Sequence, residues 1–150
     1  MTTAKTNSQP IIQPYLNFDG RCEEALEFYR KALGAEIQMI LRFKDSPEKC
    51  DPSMVAPGSE NKVMHSAFRI GDSVIMASDC RCQGGKEQFQ GFSLSYSAPD
   101  QAAVDRAFAA LSDGGKVEMP LAKTFFSPSF GVVSDRFGVS WMVLVSPQQS

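Results

Sequence analysis

One order of elements is written twice along this chain, and that doubling limits the available folds more than any other feature. An extended run, Ile11 to Phe18 (IIQPYLNF), leads into a helical segment from Asp19-Gly20 to Gly34. Extended stretches Ala35 to Phe43, Val63 to Ile70 and Ser73 to Ser78 follow. The order returns as Gly91 to Ser97, a helical segment from Pro99-Asp100 to Gly114-Gly115, then Val117 to Phe126, Phe130 to Asp135 and Ser140 to Val145. The two helix stops, Gly34 and Gly114, stand 80 residues apart. A repeated supersecondary unit constrains architecture even where few residues are identical. Here the unit is βαβββ, in which one helix covers one face of a mostly antiparallel sheet and leaves the other face to be covered. The expected fold is therefore α+β: two βαβββ modules, about 11–79 and 91–146, in a single domain over 11–150. Their sheets are expected to cup a cavity at the junction of the two halves, where pockets tend to lie.

Local signals support each element. Cys22, Ala25, Leu26, Tyr29, Ala32 and Leu33 recur at helical spacing, with Glu23 and Glu24 in the first turn and Gly34 as the stop. Ala103, Val104, Ala107, Phe108 and Leu111 form the matching face of the second helix, which Pro99 and Asp100 open. Gly71-Asp72 marks a hairpin, and Asp135 to Val145 reads as a strand end, a tight turn at Gly138 and a final apolar strand. In Ala35 to Phe43 apolar Ile37, Met39 and Leu41 alternate, less regularly than in the other strands, with Glu36, Gln38 and Arg42. Lys44 to Lys62 is a long polar loop, either a lid or a solvated excursion, and Asp79 to Gln90 is the expected internal linker.

The balance of charges excludes some classes. With 15 Lys and Arg against 17 Asp and Glu, the chain carries no basic excess of the kind a nucleic-acid binder shows. No apolar run approaches the ~20 residues of a membrane-spanning helix. Met1 to Pro10 is polar, without the apolar core of a signal peptide, and is expected to be a disordered tail. Cys22, Cys50, Cys80 and Cys82 then read as reduced thiols of a cytoplasmic protein. Cys80-x-Cys82 lacks a second pair, and His65 is the sole histidine, so a closed zinc site is not expected.

Several runs together resemble a known family. They are Pro14-Tyr15-Leu16-Asn17-Phe18-Asp19-Gly20, Glu27-Phe28-Tyr29, Leu33-Gly34, Met64-His65-Ser66-Ala67, Ile75-Met76-Ala77-Ser78-Asp79, and Asp135-Arg136-Phe137-Gly138-Val139-Ser140-Trp141-Met142. They resemble the PhnB-like proteins of the glyoxalase/bleomycin-resistance/dioxygenase group, the vicinal oxygen chelate superfamily, over about Ile11 to Val145. The resemblance implies a glyoxalase-like domain of paired βαβββ modules around a cavity, and a homodimer. It also implies a divalent metal held by one inward His or Glu from each of four strands. Those positions fall on Pro14, Met76, Ser93 and Met142. Proline offers no ligand atom, methionine a soft thioether and serine a weak one, so no metal or other cofactor is expected. Some members carry a ubiquinone-type methyltransferase label, yet no glycine-rich cofactor turn follows a parallel strand in this chain.

His65 is the candidate for acid-base work, since its ordinary pKa lies near neutrality. By alternation it shares a strand face with Ala67 and Arg69, opposite Met64, Phe68 and Ile70, and so faces the cavity. A histidine tied to a neighbouring strand or to Asp79 would look the same. The expected ligand-binding set is His65, Arg69, Met76, Ser78, Ser93, Ser95, Phe126 and Met142. Tyr15, Phe125, Phe130 and Trp141 are aromatic wall or plain core, with Trp141 turned to the helix side. These residues point first to a binding protein for an unidentified small molecule, needing no metal. The alternative is an enzyme with a site rearranged around His65, helped by Asp79 or Glu118 and a weakly held metal. It would be glyoxalase- or lyase-like, or the methyltransferase of the family label. A third reading is a scaffold acting through its dimer surface alone.

Overall fold

A computed structural model describes residues 9–47, 58–79 and 89–146. The expectations for the tail before Gln9, for Cys50, Cys80 and Cys82, and for most of the two long loops lie outside the described residues. The first module runs β1 (Tyr15–Asn17), α1 (Cys22–Leu33), β2 (Glu36–Arg42), a 3-10 turn (Phe43–Asp45), β3 (Val63–Ile70) and β4 (Ser73–Ser78). The second runs β5 (Leu94–Ala98), α2 (Gln101–Ser112), β6 (Lys116–Ala122), β7 (Phe130–Ser134) and β8 (Ser140–Val145). The strand orders are β1-β4-β3-β2 and β5-β8-β7-β6, so the two sheets are the same sheet built twice. In each, the first strand lies parallel to the last and the other pairs are antiparallel.

The helices begin differently. Asp100 caps α2, its Oδ1 accepting the Ala103 N–H at 2.8 Å. Asp19 does not cap α1. It sits in the left-handed region, at φ 48°, and the helix starts three residues later. The cap comes from the far end of the module: the buried Asp79, just past β4, accepts from the N–H groups of Gly20, Cys22 and Val63 at 2.7–2.9 Å. One carboxylate thus closes the start of α1 onto the start of β3. At the other end of α1, Gly34 adopts φ 69°, where a Cβ would be strained, and returns its N–H to the Arg30 carbonyl. In the second sheet, α2 lies so close that a Cβ on Gly131 would meet Phe108 at 2.8 Å.

Strand β2 departs from plain alternation. Its register against β3 slips between Ile37 and Met39. The bulge leaves Ile37 packed on the core and turns Met39 and Leu41 to the opposite, exposed face, so the three do not share a side.

The two modules meet through their helix sides. Tyr29 of α1 reaches across to Asp135, just past β7, and donates its hydroxyl at 2.5 Å. The same carboxylate accepts from Trp141 Nε1 and from the backbone N–H groups of Phe137 and Val139. Phe18, Phe28, Tyr29 and Phe137 pack edge-to-face or tilted around this point. Leu16, Phe68 and Ala77 of the first sheet and Val133, Trp141 and Val143 of the second face this shared core. The sheets themselves do not close on one another: each keeps its face away from the helices open. The expected cavity cupped between them is therefore not formed within one chain.

Candidate functional site

Strand pairing fixes what the open faces display. Residues opposite one another across a ladder share a face, so the registers define rows. On the first sheet one row is Tyr15, Met76, Ala67 and Met39. On the second sheet the corresponding row is Ser95, Met142, Val132 and Met119. Each places a methionine on the module's last strand and another on its second. Tyr15, Met39, Met119 and Met142 are 45%, 39%, 50% and 38% exposed, far from the treatment a core gives such side chains.

His65 lies one row along, on β3 opposite Leu41. Continuing the β3–β4 register by one step sets Ser78 beside it. The imidazole does not reach Asp79. Its Nδ1 shares a hydrogen bond of 2.9 Å with the Tyr15 hydroxyl, and the rings tilt together at 5.6 Å. Which of the two donates in this bond depends on the tautomer of the imidazole. At the end of β2 Arg42 grips Glu23 of α1 through two bonds of 2.8 and 2.9 Å, and this hydrogen bonding holds the Glu23 carboxyl below its usual pKa.

The predicted residues do not all gather. Arg69 shares the open face with His65 but stands four residues further along β3, about 13 Å away at strand rise. There it pairs with Glu36 at 3.1 Å. Ser78 is buried and donates to the Met64 carbonyl. Ser93 precedes β5, and its hydroxyl bonds Ser140 at 2.7 Å. Phe126 lies past β6, stacked edge-on between Phe125 and Phe130. Trp141 turns to the helix side and is buried. The two carboxylates considered as helpers of His65 are engaged elsewhere: Asp79 in the α1 cap, Glu118 accepting from Ser134 on the second sheet. Sequence reasoning missed the Tyr15–His65 pair. Both residues were visible, but only the β1–β4 and β3–β4 pairings together bring them close.

The positions Pro14, Met76, Ser93 and Met142, which the family resemblance implies for a metal, do not all stand opposite one another. Tyr15, not Pro14, stands opposite Met76. Ser95, not Ser93, stands opposite Met142. The four central positions thus offer a phenol, a hydroxyl and two thioethers, a set unsuited to a hard or borderline divalent cation. Among the described residues no three of His, Cys, Asp or Glu stand close enough to hold an ion.

A separate groove of about 770 Å³ runs between the modules, walled by Ile11–Pro14, the β3–β4 hairpin and β5. It takes in Ser93 and Ser95, but not His65, Arg69, Met76, Ser78, Phe126 or Met142.

The family model described as 3-demethylubiquinone-9 3-methyltransferase matches residues 10–144. Protein YjdN of Escherichia coli K12 is 37% identical over 145 residues, covering 92% of this chain and 97% of its own length. The crystal structure of PA1353 from Pseudomonas aeruginosa is 39% identical, covers 93% of this chain and 100% of that one, and superposes with a TM-score of 0.79. A putative 3-demethylubiquinone-9 3-methyltransferase, the PhnB protein from Bacillus cereus, is 29% identical with a TM-score of 0.74, covering 91% and 100%. A glyoxylase/bleomycin resistance protein/dioxygenase domain from Frankia shares the fold, with a TM-score of 0.67 at 13% identity over 92% and 98% of the two chains.

Proposed function

This chain belongs to the PhnB-like proteins of the vicinal oxygen chelate superfamily, and from that premise we propose that it binds a small, largely apolar, oxygenated molecule without a divalent metal. The observation that carries this reading is the matched pair of open rows, Tyr15–Met76–Ala67–Met39 and Ser95–Met142–Val132–Met119. Methionine is flexible and polarisable, and adapts to flat or aromatic ligands. The Tyr15–His65 pair would orient one oxygen function of the ligand. Each row is half a pocket, so the reading includes a homodimer in which the first sheet of one protomer faces the second sheet of its partner. A cytoplasmic setting is part of the same reading, and none of the described helices is long and apolar enough to cross a membrane.

Thermal unfolding against a panel of aromatic hydroxy and keto compounds and bleomycin-type drugs tests it. Stabilisation is expected from at least one class, unchanged by chelator and lost in Met76→Glu. A panel with no hit would overturn it. A second reading, an enzyme built on the Tyr15–His65 pair, is favoured by that hydrogen bond alone. One equivalent of metal in purified protein, lost on His65→Ala, would replace the first reading with the second. The methyltransferase description fits this fold poorly: each sheet has a single parallel pair, and among the described residues no glycine-rich turn of the kind that holds S-adenosylmethionine follows it.

A further inference from the structure

The groove between the modules holds something the open faces lack: a strand edge that pairs with no other strand among the described residues. Strand β5 pairs with β8 on one side only. The Ser146 N–H donates to the Ala98 carbonyl at 2.8 Å, so the backbone of Ala98 is turned toward β8. Backbone polar groups alternate sides along a strand. Leu94 and Tyr96 therefore also turn to β8, while Ser95 and Ser97 turn their N–H and C=O groups outward into the groove that they line. Among the described residues, none bonds to these four groups. The facing wall is apolar, from Ile12, Ile70 and Val74. Asp72 is the single charged residue of the lining and makes no ion pair among the described residues.

We propose that this groove binds an extended peptide, which adds to β5 as a strand and places a lysine or arginine over Asp72. Two donors and two acceptors at a fixed period match a peptide backbone, and main-chain bonding of this kind supplies affinity while the walls select side chains. The Asp72 carboxylate supplies the charge preference. The site is independent of the small-molecule reading, since the Tyr15–His65 pair lies outside the groove.

The probe is the blocked peptide acetyl-Lys-Val-Thr-Val-Thr-Val-amide, titrated into the full chain labelled with nitrogen-15. Amide shifts are expected at Ser95, Ser97 and the β3–β4 hairpin. Methylating alternate peptide nitrogens should weaken binding at least about tenfold, because it removes ladder donors. Ser97→Pro should do the same, since it deletes one outward N–H at an edge where proline is tolerated. Ser97→Ala, which keeps that N–H, should bind as the parent does. Asp72→Asn should weaken binding several-fold at low salt and little at high salt. Should Ser97→Pro fail to fold, the methylated peptide against the unaltered chain decides alone. Equal affinity for both peptides, shifts centred on His65 and Met76, or no shifts at all would overturn the proposal. So would slow exchange of the Ser95 and Ser97 amides before peptide is added, which would mean a second copy already holds the edge.

Discussion

Asp135 joins the two modules through one carboxylate. It is buried and accepts four hydrogen bonds, two from side chains and two from backbone. The run Asp135-Arg136-Phe137-Gly138 was legible in the sequence as a turn, because a turn is local. Its partner Tyr29 was legible only as a helix-face residue, because the contact spans 106 positions and depends on how two modules pack. Removing the Tyr29 hydroxyl leaves the carboxylate three donors, so Tyr29→Phe should cost about 1.5–3 kcal/mol, the range for hydrogen bonds to charged groups. Urea denaturation near neutral pH measures it. The same variant should change the alkaline limb of the stability curve. Burial first, and the Asp135 charge second, push the Tyr29 phenol well above its ordinary pKa. The folded state therefore favours the protonated phenol. This contribution is whole below pH ~10 and is lost as the pH rises beyond that, where the unfolded chain ionises. Tyr29→Phe should flatten that decline, and an unchanged slope would show that the burial pictured here is wrong.

The elements themselves were the most readable level, for a physical reason. Helix faces, glycine stops and the Gly71-Asp72 turn are written within a few residues of where they act. Gly34 and Asp100 were found from the sequence on those grounds, and both act as read. The start of α1 was misread because its cap is supplied from 57 residues away, by Asp79 bonding to Cys22. The slip in β2 was missed because a bulge depends on the neighbouring strand. This contrast between caps makes a paired prediction. Asp100→Ala removes one exposed cap bond and should cost about 1 kcal/mol. Asp79→Ala strands three backbone donors of buried or part-buried groups and should cost about 3 kcal/mol or more. Chemical denaturation of the two variants should separate them by at least about 2 kcal/mol. Equal losses would mean that Asp79 does not join α1 to β3 in the way described.

For the molecule as a whole, the doubling was legible but the closing of the halves was not. Alternation put His65 and Arg69 on the face away from the helices, where they lie, yet nothing in one strand's sequence says what covers that face. The open rows supply an argument for a second copy. Met39 and Met119 lie at equivalent places on the two sheets, as do Met76 and Met142, and neither sheet uses them for the chain's own core. Burying a methionine side chain contributes about 1.5–3 kcal/mol. In a two-fold assembly each substitution acts twice. Met142→Glu should then weaken self-association by about 3 kcal/mol, or about a hundredfold, without disturbing the fold. Light scattering across a dilution series should give a dimer for the parent chain and a monomer for the variant, with the two unfolding alike as isolated protomers. If the parent chain is a monomer at every concentration, the open faces are not halves of one pocket. If Met142→Glu remains a full dimer, some other surface makes the contact, and the rows would bind ligand one sheet at a time.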